Sequence, residues 1–277
     1  MIASPVPRAT LLHVVKTMPS APQILAHIGH LLVAMDVELE DVTALLKRDP
    51  ALTARIIRIS NSAAYNTGTP FDSIEDALAR IGLTEVYRLT GFAAIAQVSD
   101  ASLVRYGVTG VKLRENSLLT ALVMEALARP AGVDPRAAYT AGLLRSIGKI
   151  ALDRLTQDHA YDGGCGIRGP LAEWETGFMG LNNCEAAAII LEEWRFSEET
   201  LVAIRDHYAP EVGEPIASLL NLAAGAAERG GHGLPGELGY WTLSAEKFAA
   251  AGVTEEQLDE AMHLGLERFG PVRAALS

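Results

Sequence analysis

Asp49-Pro-Ala-Leu-Thr-Ala-Arg-Ile-Ile-Arg-Ile-Ser-Asn-Ser62 reads as one helix with both of its ends written in. Asp49 is a capping residue, and Pro50 takes the first helical position, where a missing N–H costs nothing. Leu52, Ile56 and Ile59 fall on one face and predict burial. Asn61 can hydrogen-bond backbone at the helix end, and Ser62 can begin the turn that follows. After the loop Thr69-Pro70-Phe71-Asp72, Ser73-Ile-Glu-Asp-Ala-Leu-Ala-Arg-Ile-Gly82 repeats the grammar. Ser73 and Asp76 form a capping-box pattern, and Gly82 supplies the stop.

The same punctuation runs through the chain. A helix is predicted over residues 20–35, capped by Ser20, with Pro22 in its first turn and Ile24, Ile28, Leu31, Leu32 and Met35 on one face. Another over 38–48 buries Leu39, Val42, Leu45 and Leu46. Further helices are expected over 84–98, 111–129, 135–155 (a single helix opened by Asp134-Pro135), 171–178, 183–194, 197–207 and 215–228. A last one begins at Thr254, closed into a box by Gln257. Residues 157–170, with Gly163, Gly164, Gly166 and Gly169, predict a mobile loop, and Gly230, Gly231 and Gly233 a flexible turn. Period-two alternation is nearly absent and aromatics are only 6%, so the fold class is all-α. No repeat of 20–50 residues aligns, which argues against a solenoid.

The 277 residues allow one large domain or two small ones, and 49% apolar residues exclude disorder as the dominant state. A net charge of −11 argues against a general nucleic-acid binder but leaves room for a small basic pocket. Cys165 and Cys184 form neither a C-x-x-C pair nor a zinc-ribbon spacing, so a reducing cytoplasm is expected. Residues 1–10 lack the apolar core of a signal peptide, and no apolar run approaches the roughly 20 residues of a membrane span. The polar segment 100–110 contains two glycines, Gly107 and Gly110. It predicts a boundary between an N-terminal helical subdomain, 8–106, and a second helical subdomain with a C-terminal extension, 107–277, and a place for a hinge.

Taken in order, these stretches resemble the HDOD domain family. The carriers are Asp49 to Ser62, Ser73 to Gly82, Ala141-Gly-Leu-Leu-Arg-Ser-Ile-Gly-Lys149, Glu192-Glu-Trp194 and Ala203-Ile-Arg-Asp-His207-Tyr. The resemblance covers residues 18–227. It implies an N-terminal helical subdomain packed on a bundle like that of the HD phosphohydrolases, including the HD-GYP phosphodiesterases. Asp49, Pro50, Asn61, Ser62 and Gly82 are its structural motif residues.

The resemblance also places a metal site. The His-Asp pair of active relatives corresponds to Arg145 and Ser146. An upstream histidine corresponds to Asn116, a later one to Asn183, a His-His pair to His207-Tyr208, and the distal aspartate to Ala224. Only His207 survives as a ligand. Arg145 carries a permanent positive charge where a dication would sit, and one imidazole cannot hold a catalytic metal. Neither catalytic residues nor a metal or other cofactor are therefore expected. Glu115, Glu185 and Asp206 read as solvated charges on amphipathic helices rather than rebuilt ligands.

Arg145 and Lys149 lie four residues apart, on one helix face. With Asn116, Ser146, Asn183 and His207 they could line a small anion or nucleotide pocket. The plainer reading, which is favoured, pairs them with carboxylates such as Asp153 or Glu115. Other candidates are weaker. His27 and His30 share a helix face but lack a third ligand. Cys165 sits in the glycine-rich loop without an activating base. Cys184 reads as core. Gly163 to Gly169 lacks the Lys-Ser/Thr of a P-loop.

The function expected is a non-enzymatic bacterial signalling module, cytoplasmic, acting in trans on a sensor kinase, response regulator or cyclic-dinucleotide enzyme. Contact would run through apolar helix faces or the cleft between subdomains, without nucleic acid or membrane. A metal-dependent phosphohydrolase with substituted ligands and a nucleotide-sensing protein are the alternatives. The oligomeric state stays open.

Overall fold

The computed structural model describes residues 7–33, 37–62, 65–66, 68–157, 167, 169–209 and 214–276. Its α-helices are α1 (Arg8–Lys16), α2 (Ala21–Leu31), α3 (Leu39–Leu46), α4 (Pro50–Ser60), α5 (Ile74–Ile81), α6 (Leu83–Val98), α7 (Gly110–Ala128), α8 (Pro135–Leu144), α9 (Ile147–Gln157), α10 (Leu171–Met179), α11 (Asn183–Glu193), α12 (Glu198–Asp206), α13 (Pro215–Ala227), α14 (Ala245–Ala251) and α15 (Glu255–Leu276). Among the described residues there is no β-strand, only an isolated antiparallel bridge between Leu103 and Val108. The all-α expectation holds.

The chain forms two compact units, one of residues 1–18 and 99–266, the other of residues 19–98 and 267–277. The division expected at 106/107 therefore falls inside the larger unit, to which α1 also belongs. Segment 100–110 is tied down within that unit. Tyr106 is buried and donates to Glu175 at 2.7 Å, and the Arg105 N–H donates to Asp153 at 2.8 Å.

In the smaller unit α6 packs against α2, α4 and α5. Its core holds Ile24, Leu25, Ile28, Val42, Leu46, Leu52, Ile56, Ile59, Ile74 and Leu78. Asp49 caps α4 by accepting the Leu52 N–H at 2.9 Å. Ser73 accepts the Asp76 N–H at 3.1 Å, and Gly82 closes α5 at φ 83°. Asn61 grips the returning loop twice: its Nδ2 donates to the Phe71 carbonyl at 2.9 Å, and its Oδ1 accepts the Phe71 N–H at 2.7 Å. Ser62 does begin the turn, its carbonyl accepting the Tyr65 and Asn66 N–H groups. Ser20 does not cap α2; its hydroxyl donates to Asp49 at 3.0 Å instead. Leu39, expected inside, is 40% exposed, and Leu31 and Leu32 are half-buried. Met35 lies outside the described residues.

The larger unit is built around α7 and α13, both buried over most of their length. α7 packs along α8 and α13, α9 along α11, and α12 against α8, α11 and α13. The single helix expected over 135–155 is two, α8 and α9, parted at Arg145 and Ser146. Two glycines set these contacts by close approach. A Cβ on Gly142 would come within 2.7 Å of the Ala121 Cα, and one on Gly148 within 1.9 Å of the Asn183 carbonyl oxygen. The Ala141 to Lys149 motif is thus a packing code: its glycines let α8 close on α7 and α9 close on α11.

The first prediction concerns that code. Gly148→Ala forces backbone apart in a packed core and costs about 3 kcal/mol or more of stability, measured by urea unfolding. A loss under about 1 kcal/mol would refute the close-approach account.

Candidate functional site

The residues that the family resemblance places at a metal site all lie in the larger unit, and all but the half-buried Tyr208 are buried. Asn116 comes from α7, Arg145 and Ser146 from the α8–α9 joint, Lys149 from the first turn of α9, Asn183 from the start of α11, and His207 from the end of α12. Parting α8 from α9 still leaves Arg145 and Lys149 facing one acceptor. That acceptor is Glu237, which composition and motif reading missed.

Arg145 grips Glu237 with both terminal guanidinium nitrogens, at 3.0 and 2.8 Å. Lys149 donates to the same carboxylate, as does the Tyr208 hydroxyl at 2.7 Å. Arg145 and Glu237 are both wholly buried. The remaining face of the guanidinium is satisfied by Asn116, whose Oδ1 accepts from Nε at 3.2 Å and from a terminal nitrogen at 2.7 Å. Asn116 in turn donates to the His232 carbonyl at 2.8 Å. The counter-ions named from sequence are engaged in other contacts: Asp153 accepts from Arg105, and Glu115 lies 3.4 Å from His232.

Asn183 belongs to a neighbouring polar cluster. Its backbone and side-chain N–H groups both donate to the buried Glu175 at 2.8 Å, and its side chain also reaches Tyr208 at 3.3 Å. Aromatic rings enclose the cations. The Trp241 ring lies 5.5 Å from the Arg145 guanidinium carbon and the Tyr208 ring 5.8 Å from the Lys149 ammonium, within cation–π reach. Tyr240 stacks on Tyr208 at 4.1 Å.

His207 is a neutral imidazole. Its Nδ1 sits 2.7 Å from the Ile204 carbonyl, which can only accept, so Nδ1 carries the proton. Burial, then the Arg145 charge, push its pKa down to about 3. Nε2 is a buried lone pair without a hydrogen-bond partner. The Ser146 hydroxyl is likewise buried and unpartnered. For Glu237, burial alone would raise the pKa, but Arg145 and Lys149 outweigh it and hold the carboxyl well below the usual range. Burial raises the pKa of Glu175.

These residues do not fit a catalytic dication. The site centre holds a guanidinium and an ammonium, the nearest carboxylate is consumed by both, and the amides of Asn116 and Asn183 are already bonded. The other sequence candidates sit apart. Glu185 closes a capping box with Asn182, Asp206 pairs with Arg205, and Ala224 is buried in α13. His27 and His30 are exposed, Cys184 is buried, and Cys165 lies outside the described residues with most of the 157–170 loop. Also missed from sequence were α1, whose Leu11 and Val15 give only two buried positions, and α14.

Two predictions follow from the charges. Glu237→Leu leaves two buried cations unpaired and costs about 3–5 kcal/mol, whereas adding Arg145→Met recovers part of the loss in a double-mutant cycle; additive losses would refute the coupling. The pH dependence has a definite sign. His207 is held neutral while the unfolded chain protonates it, so its contribution is whole above pH 6.5 and fades as pH falls toward about 3. Its slope is at most about 1.4 kcal/mol per pH unit. Glu237, with a depressed pKa, adds loss in the same direction at acid pH. Urea midpoints between pH 7.5 and 4.5 should fall less steeply for His207→Asn than for the wild type; equal slopes would refute this.

The comparisons with known proteins agree with this architecture. Residues 18–210 match the HDOD domain. An uncharacterized protein of Treponema pallidum (strain Nichols) is 25% identical over 223 residues, which make up 74% of this chain and 41% of that protein, so the chain spans well under half of the relative's length. An HDOD domain protein with unknown function from Geobacter sulfurreducens superposes with a TM-score of 0.66 at 20% identity, covering 97% of each chain. A protein from Shewanella amazonensis SB2B, provisionally named a phosphohydrolase, gives 0.67 at 24% identity over 97% of this chain and 98% of that one. One from Marinobacter aquaeolei VT8, provisionally named a signal transduction protein, gives 0.68 at 20% identity over 97% of this chain and 64% of that one. At these identities the structural likeness is one of fold, while the domain match spans most of the sequence: the chain belongs to the HDOD domain family.

Proposed function

We propose that the chain is a non-catalytic signalling module that regulates partner proteins in trans. Family membership supports this reading. The observation that carries it is the burial of Arg145 and Lys149 on the single carboxylate of Glu237, at the positions where the resemblance implies a metal site. A hydrolytic centre needs a dication to generate hydroxide and to balance phosphoryl charge. Here a fixed guanidinium already fills the position with charge of the same sign. The partners are signalling proteins of the sensor-kinase, response-regulator or cyclic-dinucleotide-enzyme classes, and the compartment is the cytoplasm. Among the described residues no helix is long and apolar enough to cross a membrane.

The second reading, a metal-dependent phosphohydrolase with substituted ligands, has one observation in its favour: the unpartnered Nε2 of His207 is a free imidazole ligand. One assay separates the two. Purified protein is incubated with manganese and a generic phosphodiester, and its metal content is measured. The regulator reading expects hydrolysis at the uncatalysed rate and no stoichiometric metal. Turnover with bound metal, both lost in His207→Ala, would overturn it. Cross-linking in the native host should recover a signalling protein of the named classes; recovery of none would count against the role in trans.

A further inference from the structure

Glu237 reaches the site from an unusual place. Leu234 and Trp241 are buried, 4% and 7% exposed, and anchor the two ends of a turn. Between them Gly236 takes φ 81°, Leu238 is 70% exposed, Gly239 has nothing near it, and residues 238–240 form one 3-10 turn. Among residues 235–240, only Glu237 is fully buried. A single carboxylate is thus inserted from a surface turn into a preformed set of oxyanion donors: the Arg145 fork, the Lys149 ammonium and the Tyr208 hydroxyl. An arginine fork with a lysine beside it is the pattern that recognises phosphate as well as carboxylate.

The carboxylate leaves polar capacity unused. His207 Nε2, the Ser146 hydroxyl and Trp241 Nε1 are buried without partners; the Trp241 ring lies against Arg145 and the His207 ring against Tyr208. A carboxylate has two oxygens and no proton to give. A phosphate has more oxygens to accept, and a protonated P–OH can donate to the His207 lone pair. Burying such groups unsatisfied is costly, so a ligand that satisfies them gains by that margin.

We propose that the Arg145–Lys149–Tyr208 cluster is a binding site for a phosphate group, and that Glu237 is its tethered occupant, displaced when the ligand enters. The inference rests on the reading of the chain as a non-catalytic regulator and names the ligand class that would switch it. Entry of phosphate releases the 235–240 turn, which changes the surface that carries Leu238. The competing account, a purely structural ion cluster, expects the same cost on losing Glu237 but no recovery with phosphate.

Thermal melting of full-length Glu237→Gln and Glu237→Ala tests this with inorganic phosphate, adenosine 5′-monophosphate, a cyclic dinucleotide and acetate, each against potassium chloride at matched ionic strength. Phosphate at a hundredfold over its Kd should raise the melting temperature of either variant by about 5 °C or more. A further Arg145→Met change should abolish the rise. Greater stabilisation by the monophosphate or the cyclic dinucleotide identifies a nucleotide as the source; stabilisation by inorganic phosphate alone identifies free phosphate. No rise beyond chloride, or an equal rise with acetate, overturns the inference.

Hydrogen exchange of the wild-type chain decides the matter if neither variant folds. The Tyr240 and Trp241 amides, bonded within the turn to Glu237 and Leu238 carbonyls, should exchange faster with phosphate present. Unchanged exchange overturns displacement. Cleavage of the nucleotides during these measurements would sink the non-catalytic reading while leaving binding intact; failure to bind sinks only this inference.

Discussion

The larger unit depends on one carboxylate. Arg145 and Lys149 are both at or below 1% exposure, and two cations cannot be held out of water without a counter-charge. Glu237 provides it through four donors on its two oxygens, and Asn116 and the surrounding aromatic rings complete the enclosure. Such a cluster adds little net stability over an apolar core, because desolvation offsets most of the attraction. What it supplies is dependence: removing Glu237 leaves two cations buried and uncompensated. It also fixes where the chain beyond α13 must run, since residue 237 has to arrive where residue 145 is waiting.

The metal site that the family resemblance implies and the chemistry that these residues permit point in different directions. α7, the α8–α9 joint, α11 and α12 bring polar side chains together in the interior of the larger unit. The side chains delivered are a guanidinium, an ammonium, two amides and one neutral imidazole. That set has the chemistry to pair with oxyanions rather than dications. Positive charge at the centre of the set is supplied by side chains that the chain itself carries.

Much of the architecture was legible in the sequence because helix boundaries are written locally. Asp49-Pro50, Ser73 and Gly82 act through neighbours within four residues, and each does what its position implies. Asn61 and His207 were found through the family pattern; Asn61 bonds the returning backbone as expected, and His207 is buried. Two of the errors share a cause. Ser20 gives its hydroxyl to Asp49 rather than to its own helix, and the 135–155 helix breaks where α9 must approach α11 through Gly148. Leu39 is exposed although its spacing matches the buried face. The first two depend on a tertiary neighbour. Glu237 is the extreme case. It lies 92 positions from Arg145, and nothing in its local pattern distinguishes it from an ordinary surface glutamate.

The distance along the chain between those two residues has a consequence for synthesis. The segment matching the HDOD domain ends at residue 210, yet the counter-charge for two of its buried cations comes from residue 237. As the polypeptide emerges from the ribosome, the helices from α7 to α12 are available before that carboxylate is. Until the following turn is released from the exit tunnel, Arg145 and Lys149 must stay hydrated, and the bundle must remain ajar. Final closure of this unit is therefore a late event, timed by a tail that a domain trimmed to its family boundaries would lack.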